Sequence, residues 1–283
     1  MKHSIDETLS AALAEDIGHG DITSRALVDA GDRCAVTLRA KEAGVLSGIA
    51  VFRRAFELAG AAPEGWSGLE DGAAFAPGDT VAAFMGHTRE VLSAERTALN
   101  FVQRLSGVAT LTRRFADALA GLDCQVCDTR KTTPLLRFLE KDAVRHGGGA
   151  NHRFNLTDGI LIKENHIAAA GGIAEAIGRA RANVHHLVRI EVEVTNLEEL
   201  KEALHARADV IMLDNMDLET MAQAVRTANN WDGGRAVLEA SGNVTLDRVR
   251  AIAETGVDFI STGAITHSAP AIDLSLLIRP AGS

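Results

Sequence analysis

RIEVEVTNLEELKEALHARADVIMLDN (residues 189–215) places an amphipathic helix between two short β-branched and apolar runs. Leu197, Leu200 and Leu204 share one helical face, and Thr195 and Glu198 have the T-x-x-E spacing of a capping box. The same rhythm recurs on both sides, in QVCDTR (125–130), GILIKEN (159–165), AVLEASG (236–242) and DFISTG (258–263). Strands that alternate with helical patterns predict a parallel α/β architecture.

A doubly wound sheet and a barrel both fit that alternation. No G-x-G-x-x-G follows the first strand, and no G-x-x-x-x-G-K-[S/T] occurs in the chain. Instead the runs end in Arg130–Lys131, Lys163, Glu193, Asp214, Ser241–Gly242 and Gly263. Chemistry spread over many strand ends is the barrel arrangement, whose sites occupy the C-terminal rim. Six such runs, rather than eight, predict an incomplete (β/α) barrel.

The expected fold class is therefore α/β, with this barrel at 109–283 and a smaller α+β domain at 1–108. The C-terminal tail is a candidate to pack back on the N-terminal domain. Within 1–108, LSAALAEDIG reads as a short helix, CAVTLRAKEAGVLSGIAVF as two strands around Gly44, and VFRRAFELAG as a second helix. APEGWSGLEDGAAFAPGDTVAAFMG reads as loops and strands, and TREVLSAERTALNFVQRLSGVATLTRRFADALAG as a long helix interrupted at Gly107.

The chain has 283 residues, 46% hydrophobic and 24% charged, as in an ordinary globular protein. Its net charge of −9 opposes broad nucleic-acid binding. No apolar run reaches the roughly 18 residues of a membrane helix. MKHSIDETLSAALAED lacks the h-region of a signal peptide, so a cytoplasmic location is expected. Cys124 and Cys127 form C-x-x-C, but no second pair follows, and they read as reduced thiols in or near a strand.

Against the acidic background, seven Lys and Arg residues face three Asp and Glu residues between Arg130 and Lys163. Arg130, Lys131, Arg153 and Lys163 fall at or after strands and read as ligands for a small polyanion; arginine binds carboxylates or phosphates bidentately and lysine adds a point charge. Arg137, Lys141 and Arg145 share a helical pattern with Glu140 and read as surface ion pairs. Glu193 and Asp214 end consecutive strands, where carboxylates accept from sugar hydroxyls, hold a divalent cation through water or stabilise positive charge. Glu191 shares a strand face with Glu193, which leaves open which of the two is the working residue. The glycine turns ASGN (240–243) and STGA (261–264) have the position of a barrel phosphate site. HGGGAN is not an oxyanion motif, because no G-x-S-x-G accompanies it. These features describe a pocket for a carboxylate-bearing substrate and a phosphorylated sugar.

LAEDIGHGDITS (13–24), ERTALNFVQRLSGVAT (95–110), DTRKTTP (128–134), EKDAVRHGGGANHRFNLTDGILIKENHI (140–167), EVEV (191–194), IMLDNM (211–216), LEASGNV (238–244) and STGAITHS (261–268) occur in this order. This series resembles the quinolinate phosphoribosyltransferase family over almost the whole chain. The resemblance implies a Mg²⁺-assisted reaction of quinolinate with 5-phosphoribosyl-1-pyrophosphate, giving nicotinate mononucleotide, pyrophosphate and CO2 in NAD biosynthesis. It implies that Arg130, Arg153 and Lys163 hold the quinolinate carboxylates, with Thr129 and His152 beside them. Lys131 would meet pyrophosphate or quinolinate, while Glu193 and Asp214 would hold the ribose hydroxyls and position Mg²⁺ through water. Lys131, Glu193 and Asp214 are the candidate catalytic residues. Ser241, Gly242 and Asn243, with Thr262, Gly263 and Ala264, would cradle the 5-phosphate. Arg96 would come from the partner in a homodimer with shared sites, which further assembly could carry to a hexamer.

Leu135 stands where the family commonly has glycine, and Asp142 where an aromatic is frequent. Rival readings are the related molybdenum-transport-associated pyrophosphorylase-like protein and a catalytically silent ligand-binding barrel. Lys163 in ILIKENH favours the quinolinate reading over the first, and the joint presence of cations, carboxylates and glycine loops opposes the second.

Overall fold

A computed structural model describes residues 5–281. Residues 1–4 and 282–283 lie outside the described residues; they include the start of the segment read as lacking an h-region and the outer limits of both expected domains. The described chain forms two compact units that do not follow chain order. One comprises residues up to Arg113, Thr133–Gly148 and the segment from Ala269 on; the other comprises Arg114–Thr132 and Gly149–Ser268. No helix of the described residues is long and apolar enough to cross a membrane.

The first unit begins with α1 (Ile5–Ile17), α2 (Ile22–Leu27), β1 (Arg33–Ala40), β2 (Gly44–Val45) and α3 (Ile49–Leu58). The IAVF segment therefore opens a helix rather than closing a strand. Its apolar residues Val51, Phe52, Ala55 and Phe56 are spaced to bury one helical face, and all four are buried. β3 (Glu64–Gly68), β4 (Ala74–Phe75), β5 (Thr80–His87) and α4 (Thr88–Ala118) follow. Phe52, Phe56, Trp66 and Phe84 form the aromatic centre of this unit: Phe52 meets Phe56 edge-on at 5.0 Å, and Trp66 stacks on Phe84 at 5.3 Å.

Helix α4 runs through Gly107 without a break, contrary to the expected interruption. Glycine is required there by a close approach: a Cβ would fall 2.0 Å from the Pro270 carbonyl oxygen. The boundary between units lies further along the same helix, after Arg113.

Past β6 (Gln125–Cys127), α5 (Arg137–His146) belongs to the first unit. Its charges are not the surface pairs expected. Glu140 is fully buried, accepts from Arg104 Nη2 at 2.9 Å and from the Thr133 hydroxyl at 2.7 Å, and Lys141 is buried beside it in sequence. Arg145 keeps the surface role, paired with Asp142. Leu135, where the resemblance leads one to expect glycine, is 68% exposed and holds φ +65°. Its Cβ makes that left-handed conformation costly by about 1–2 kcal/mol.

The second unit continues with β7 (Ile160–Ile162), α6 (Glu164–Ala170), α7 (Ile173–Asn183), β8 (Ile190–Val194), α8 (Leu197–His205), β9 (Val210–Asp214), α9 (Leu218–Asn229), β10 (Val237–Ser241), α10 (Val249–Ala253), β11 (Phe259–Ser261) and α11 (Ala264–His267). Its six strands pair in the order β6-β11-β10-β9-β8-β7, every ladder parallel. No ladder joins β6 to β7 among the described residues, so the barrel stays open. Ile190, Val192, Val194, Ile211, Leu213, Leu238, Ala240 and Ile260 occupy one face and are buried. The alternate positions carry Glu191, Glu193, Met212, Asp214, Glu239 and Ser241 on the other face. Cys124 and Cys127 are buried free thiols, and burial pushes Cys124 up to about 12, far from a reactive thiolate.

The final strand, β12 (Leu274–Pro280), pairs antiparallel with β1 and completes the first unit's sheet β12-β1-β5-β3.

The opening stretch folds as expected but is capped differently. Asn196, not Thr195, is the N-cap of α8, and its Oδ1 accepts from the N–H groups of Glu198 and Glu199 at 3.1 and 2.9 Å. Thr195 instead donates to Glu199 Oε2 through both its N–H and its hydroxyl. Asn196→Ala should lower unfolding free energy by about 1 kcal/mol in urea titrations, and Thr195→Ala by less than half of that. Leu135→Gly, by the same measurement, should raise it by about 1 kcal/mol as the left-handed strain is relieved.

Candidate active site

The C-terminal ends of the six strands surround a cavity of about 640 Å³. Arg130 and Lys131 enter it from the loop after β6, Lys163 from the end of β7, and Glu193, Asp214 and Ser241 from β8, β9 and β10. Thr129, His152, Arg153, Gly242 and Asn243 complete the expected residues in its wall. Parallel register puts Asp214 directly beside Ser241.

Local bonds hold the cationic side. Thr129 Oγ1 accepts the Lys131 N–H at 3.0 Å, and the Lys131 carbonyl accepts from the Thr266 hydroxyl at 2.8 Å. Lys163 is the N-cap of α6; its N–H donates to His166 Nδ1 at 3.0 Å while its ammonium reaches Glu193 Oε2 at 2.5 Å. Arg153 donates to the Gly159 carbonyl at 2.9 Å. Its pKa is pushed below the usual arginine value by burial and then by the adjacent Arg130 guanidinium, with Glu191 opposing. Two like charges held together in this way gain from an anion between them.

Thr262, Gly263 and Ala264 border the cavity rather than line it; from that loop, Ser261 reaches the wall. Thr262 N–H donates to the Cys127 carbonyl, Thr262 Oγ1 accepts from the Ala264 N–H, and a Cβ on Gly263 would fall 2.9 Å from Lys131 Cδ. Arg96 is not among the wall residues. It belongs to the first unit, on α4, where it lines a small recess with Glu15, Asp16 and Asn100.

Asn215 is a wall residue that the strand-end pattern did not single out. It holds φ +54°, its N–H donates to the Ser241 carbonyl at 2.9 Å, and its Oδ1 accepts from Asn243 Nδ2 at 3.1 Å. Gly242, at φ +91°, leaves room for it, since a Cβ there would overlap Asn215 Oδ1 at 2.2 Å. Tolerance of the left-handed region by asparagine was the available signal.

The structure separates the two glutamates of β8. Glu193 lines the cavity, whereas Glu191 is buried deeper, with His152 Nε2 3.0 Å from its Oε2. Glu239 of β10, also unforeseen, lies 3.7 Å from the same Nε2. A carboxylate between Leu238 and Ala240 in an otherwise apolar run was its sequence signal. Glu191 Oε1 and Glu239 Oε1 have no hydrogen-bond partner in the structure. Burial, and next the charge of Glu191, raise Glu239 to about 7, against the attraction of His152.

Fold and cavity together define a barrel enzyme class built to hold a polyanion beside a sugar phosphate. The chain belongs to the quinolinate phosphoribosyltransferase family: the family's N-terminal domain matches residues 21–106 and its C-terminal domain 108–277. It is 43% identical over 277 residues to a probable nicotinate-nucleotide pyrophosphorylase [carboxylating] of Bacillus subtilis, covering 98% of this chain and 94% of that one. The crystal structure of NadC from Streptococcus pyogenes superposes with a TM-score of 0.92 at 44% identity, over 98% of this chain and 96% of that one. A nicotinate-nucleotide pyrophosphorylase of Ehrlichia chaffeensis gives 0.91 at 38% identity, over 99% and 100%.

A carboxyl raised to about 7 in the fold, from an ordinary value of 4.5, stabilises the folded state below about pH 4.5 and loses that contribution as pH rises through 7. Glu239→Gln keeps the neutral form at every pH. Its stability relative to the unsubstituted protein should therefore be greater at pH 8 than at pH 5, read as the difference in urea midpoints; an equal difference at both pH values would contradict the raised value.

Proposed function

We infer that this protein transfers the phosphoribosyl group of 5-phosphoribosyl-1-pyrophosphate to quinolinate and releases CO2, forming nicotinate mononucleotide for NAD biosynthesis. Convergence of Arg130, Arg153, Lys131 and Lys163 in one cavity, facing Glu193 and Asp214, is the observation that carries this reading. In it, Arg130, Arg153 and Lys163 bind the two quinolinate carboxylates, with Thr129 and His152 adjacent, and Lys131 meets pyrophosphate. The Ser241–Asn243 turn and the neighbouring Thr262–Ala264 turn receive the 5-phosphate through backbone N–H groups.

The ring nitrogen of quinolinate bonds to C1 of the ribose as the C1–O bond breaks, and pyrophosphate leaves with the electron pair. Glu193 and Asp214 accept from the ribose hydroxyls and stabilise the positive charge that develops at C1. Lys163, ion-paired to Glu193, orients that carboxylate. As CO2 departs, the electron pair of the C2–carboxylate bond stays on C2, stabilised by the adjacent cationic ring nitrogen, and takes a proton from water. No protein nucleophile enters the sequence. Glu193 and Asp214 offer the hard oxygen donors that suit Mg²⁺, which when bound would neutralise charge on the leaving pyrophosphate.

The same reading gives Arg96 to the cavity of a partner copy, making the protein a homodimer with shared sites, active in the cytoplasm. Lys163→Ala and Arg130→Ala should each lower kcat/KM for quinolinate at least ~100-fold in an assay of nicotinate mononucleotide formation, since each removes a charge-assisted contact from the cavity wall. Near-normal values, or turnover of nicotinate in place of quinolinate, would overturn the assignment.

A further inference from the structure

Beneath the cavity, one strand position deeper than Glu193 and Ser241, three carboxylates surround a single histidine. The His152 N–H donates to Asp128 Oδ1 at 2.9 Å, and Asn151 Nδ2 donates to Asp128 Oδ2 at 2.6 Å. Asp128 is fully buried and directly precedes Thr129 and Arg130. On the ring, Nδ1 accepts the Arg153 N–H at 2.7 Å, while Nε2 lies 3.0 Å from Glu191 Oε2 and 3.7 Å from Glu239 Oε2.

A neutral imidazole has one donor nitrogen and one acceptor nitrogen. Because Nδ1 receives the Arg153 N–H, the ring proton belongs on Nε2, where it is donated to Glu191. This order decides between two uses of the cluster. His152, Glu191 and Glu239 have ligand atoms within 4.8 Å of one another, as a metal site would. A ligating Nε2 must be unprotonated, however, and the bond from Arg153 keeps the proton on it. The arrangement suits a hydrogen-bonded brace, and no ion is needed to explain it.

We propose that Asp128 and Glu191 are positioning residues, Asp128 holding the His152 backbone and Glu191 holding its ring in the Nε2–H tautomer, and that His152 in turn fixes the backbone of Arg153. The brace begins at the buried residues Asp128 and Glu191 and ends at a cavity-wall guanidinium whose tip is tied to the Gly159 carbonyl. Arg153 is thereby anchored at both ends before any ligand arrives, so little ordering remains when a carboxylate binds. His152 acts through Arg153, with both ring nitrogens already engaged. For the identity of the substrate, and only for that, this inference rests on the proposed function.

Two measurements on the full chain test it. In 15N-histidine-labelled protein without substrate, long-range 1H–15N correlation should show His152 with Nε2 protonated and Nδ1 bare, its signals assigned by their loss in His152→Asn. Glu191→Gln, which keeps an accepting oxygen, should preserve that pattern. In steady-state assays, Glu191→Leu should raise KM for quinolinate ~10–100-fold, the usual range for removing a supporting partner, with KM for 5-phosphoribosyl-1-pyrophosphate within about 3-fold, and Glu191→Gln should recover most of the loss. An Nδ1–H tautomer in the unsubstituted protein would overturn the proposal, as would an equal rise in both KM values. So would one equivalent of divalent metal, found by elemental analysis and lost in Glu239→Gln. The spectrum needs no turnover and no stable Leu variant, so it tests the tautomer even where the proposed reaction or that variant fails.

Discussion

Parallel pairing of β8, β9 and β10 is the constraint on which the site depends. A parallel ladder points every strand the same way, so the C-terminal ends of separate segments meet on one rim. Alternation then assigns the residues: Ile190, Val192 and Val194 pack on one face, and Glu191 and Glu193 look the other way. A slip of one residue in β8 would exchange these sets, burying valines in the cavity and carboxylates against the helices. The hydrophobic pattern that folds the strand is therefore the same pattern that aims its carboxylates.

The cavity gathers charge in layers. Its wall holds guanidiniums and ammoniums that repel one another, visible in the downward push of Arg130 on Arg153. Carboxylates lie opposite at Glu193 and Asp214, and deeper at Glu191 and Glu239. Burying the charges of Glu191 and Glu239 is costly unless each finds a partner. The His152–Glu191 contact supplies part of that compensation, and nearer the rim Lys163 pairs with Glu193.

Much of this was legible in the sequence because strand ends announce themselves: a β-branched run followed by a reactive residue marks both an element and its exposed tip. The six runs fold as parallel strands, and Thr129, Arg130, Lys131, His152, Arg153, Lys163, Glu193, Asp214, Ser241, Gly242 and Asn243 share one cavity. What escaped notice, Asn215 apart, was buried. Glu239 sits inside a short apolar run, where burial of a polar group depends on neighbours from other strands. Glu140 looked like a surface residue because helical spacing reveals its sequence neighbours but not Arg104. Gly107 looked like a helix breaker because the pattern cannot show the backbone of Pro270 passing against it.

The interleaving of the two units has a consequence for how the chain can be divided. The chain passes from one unit to the other after Arg113, returns after Thr132, leaves again after Gly148 and comes back after Ser268. The excursion from Thr133 to Gly148 separates Arg130 and Lys131 from His152 and Arg153, so the cationic wall itself is assembled from two passes of chain. A cut after Arg113 keeps all six strands on one piece, but that piece also carries Thr133–Gly148 and the segment from Ala269 on, which belong to the other unit. The two units are not beads on a string: each is built from segments that the other interrupts along the chain.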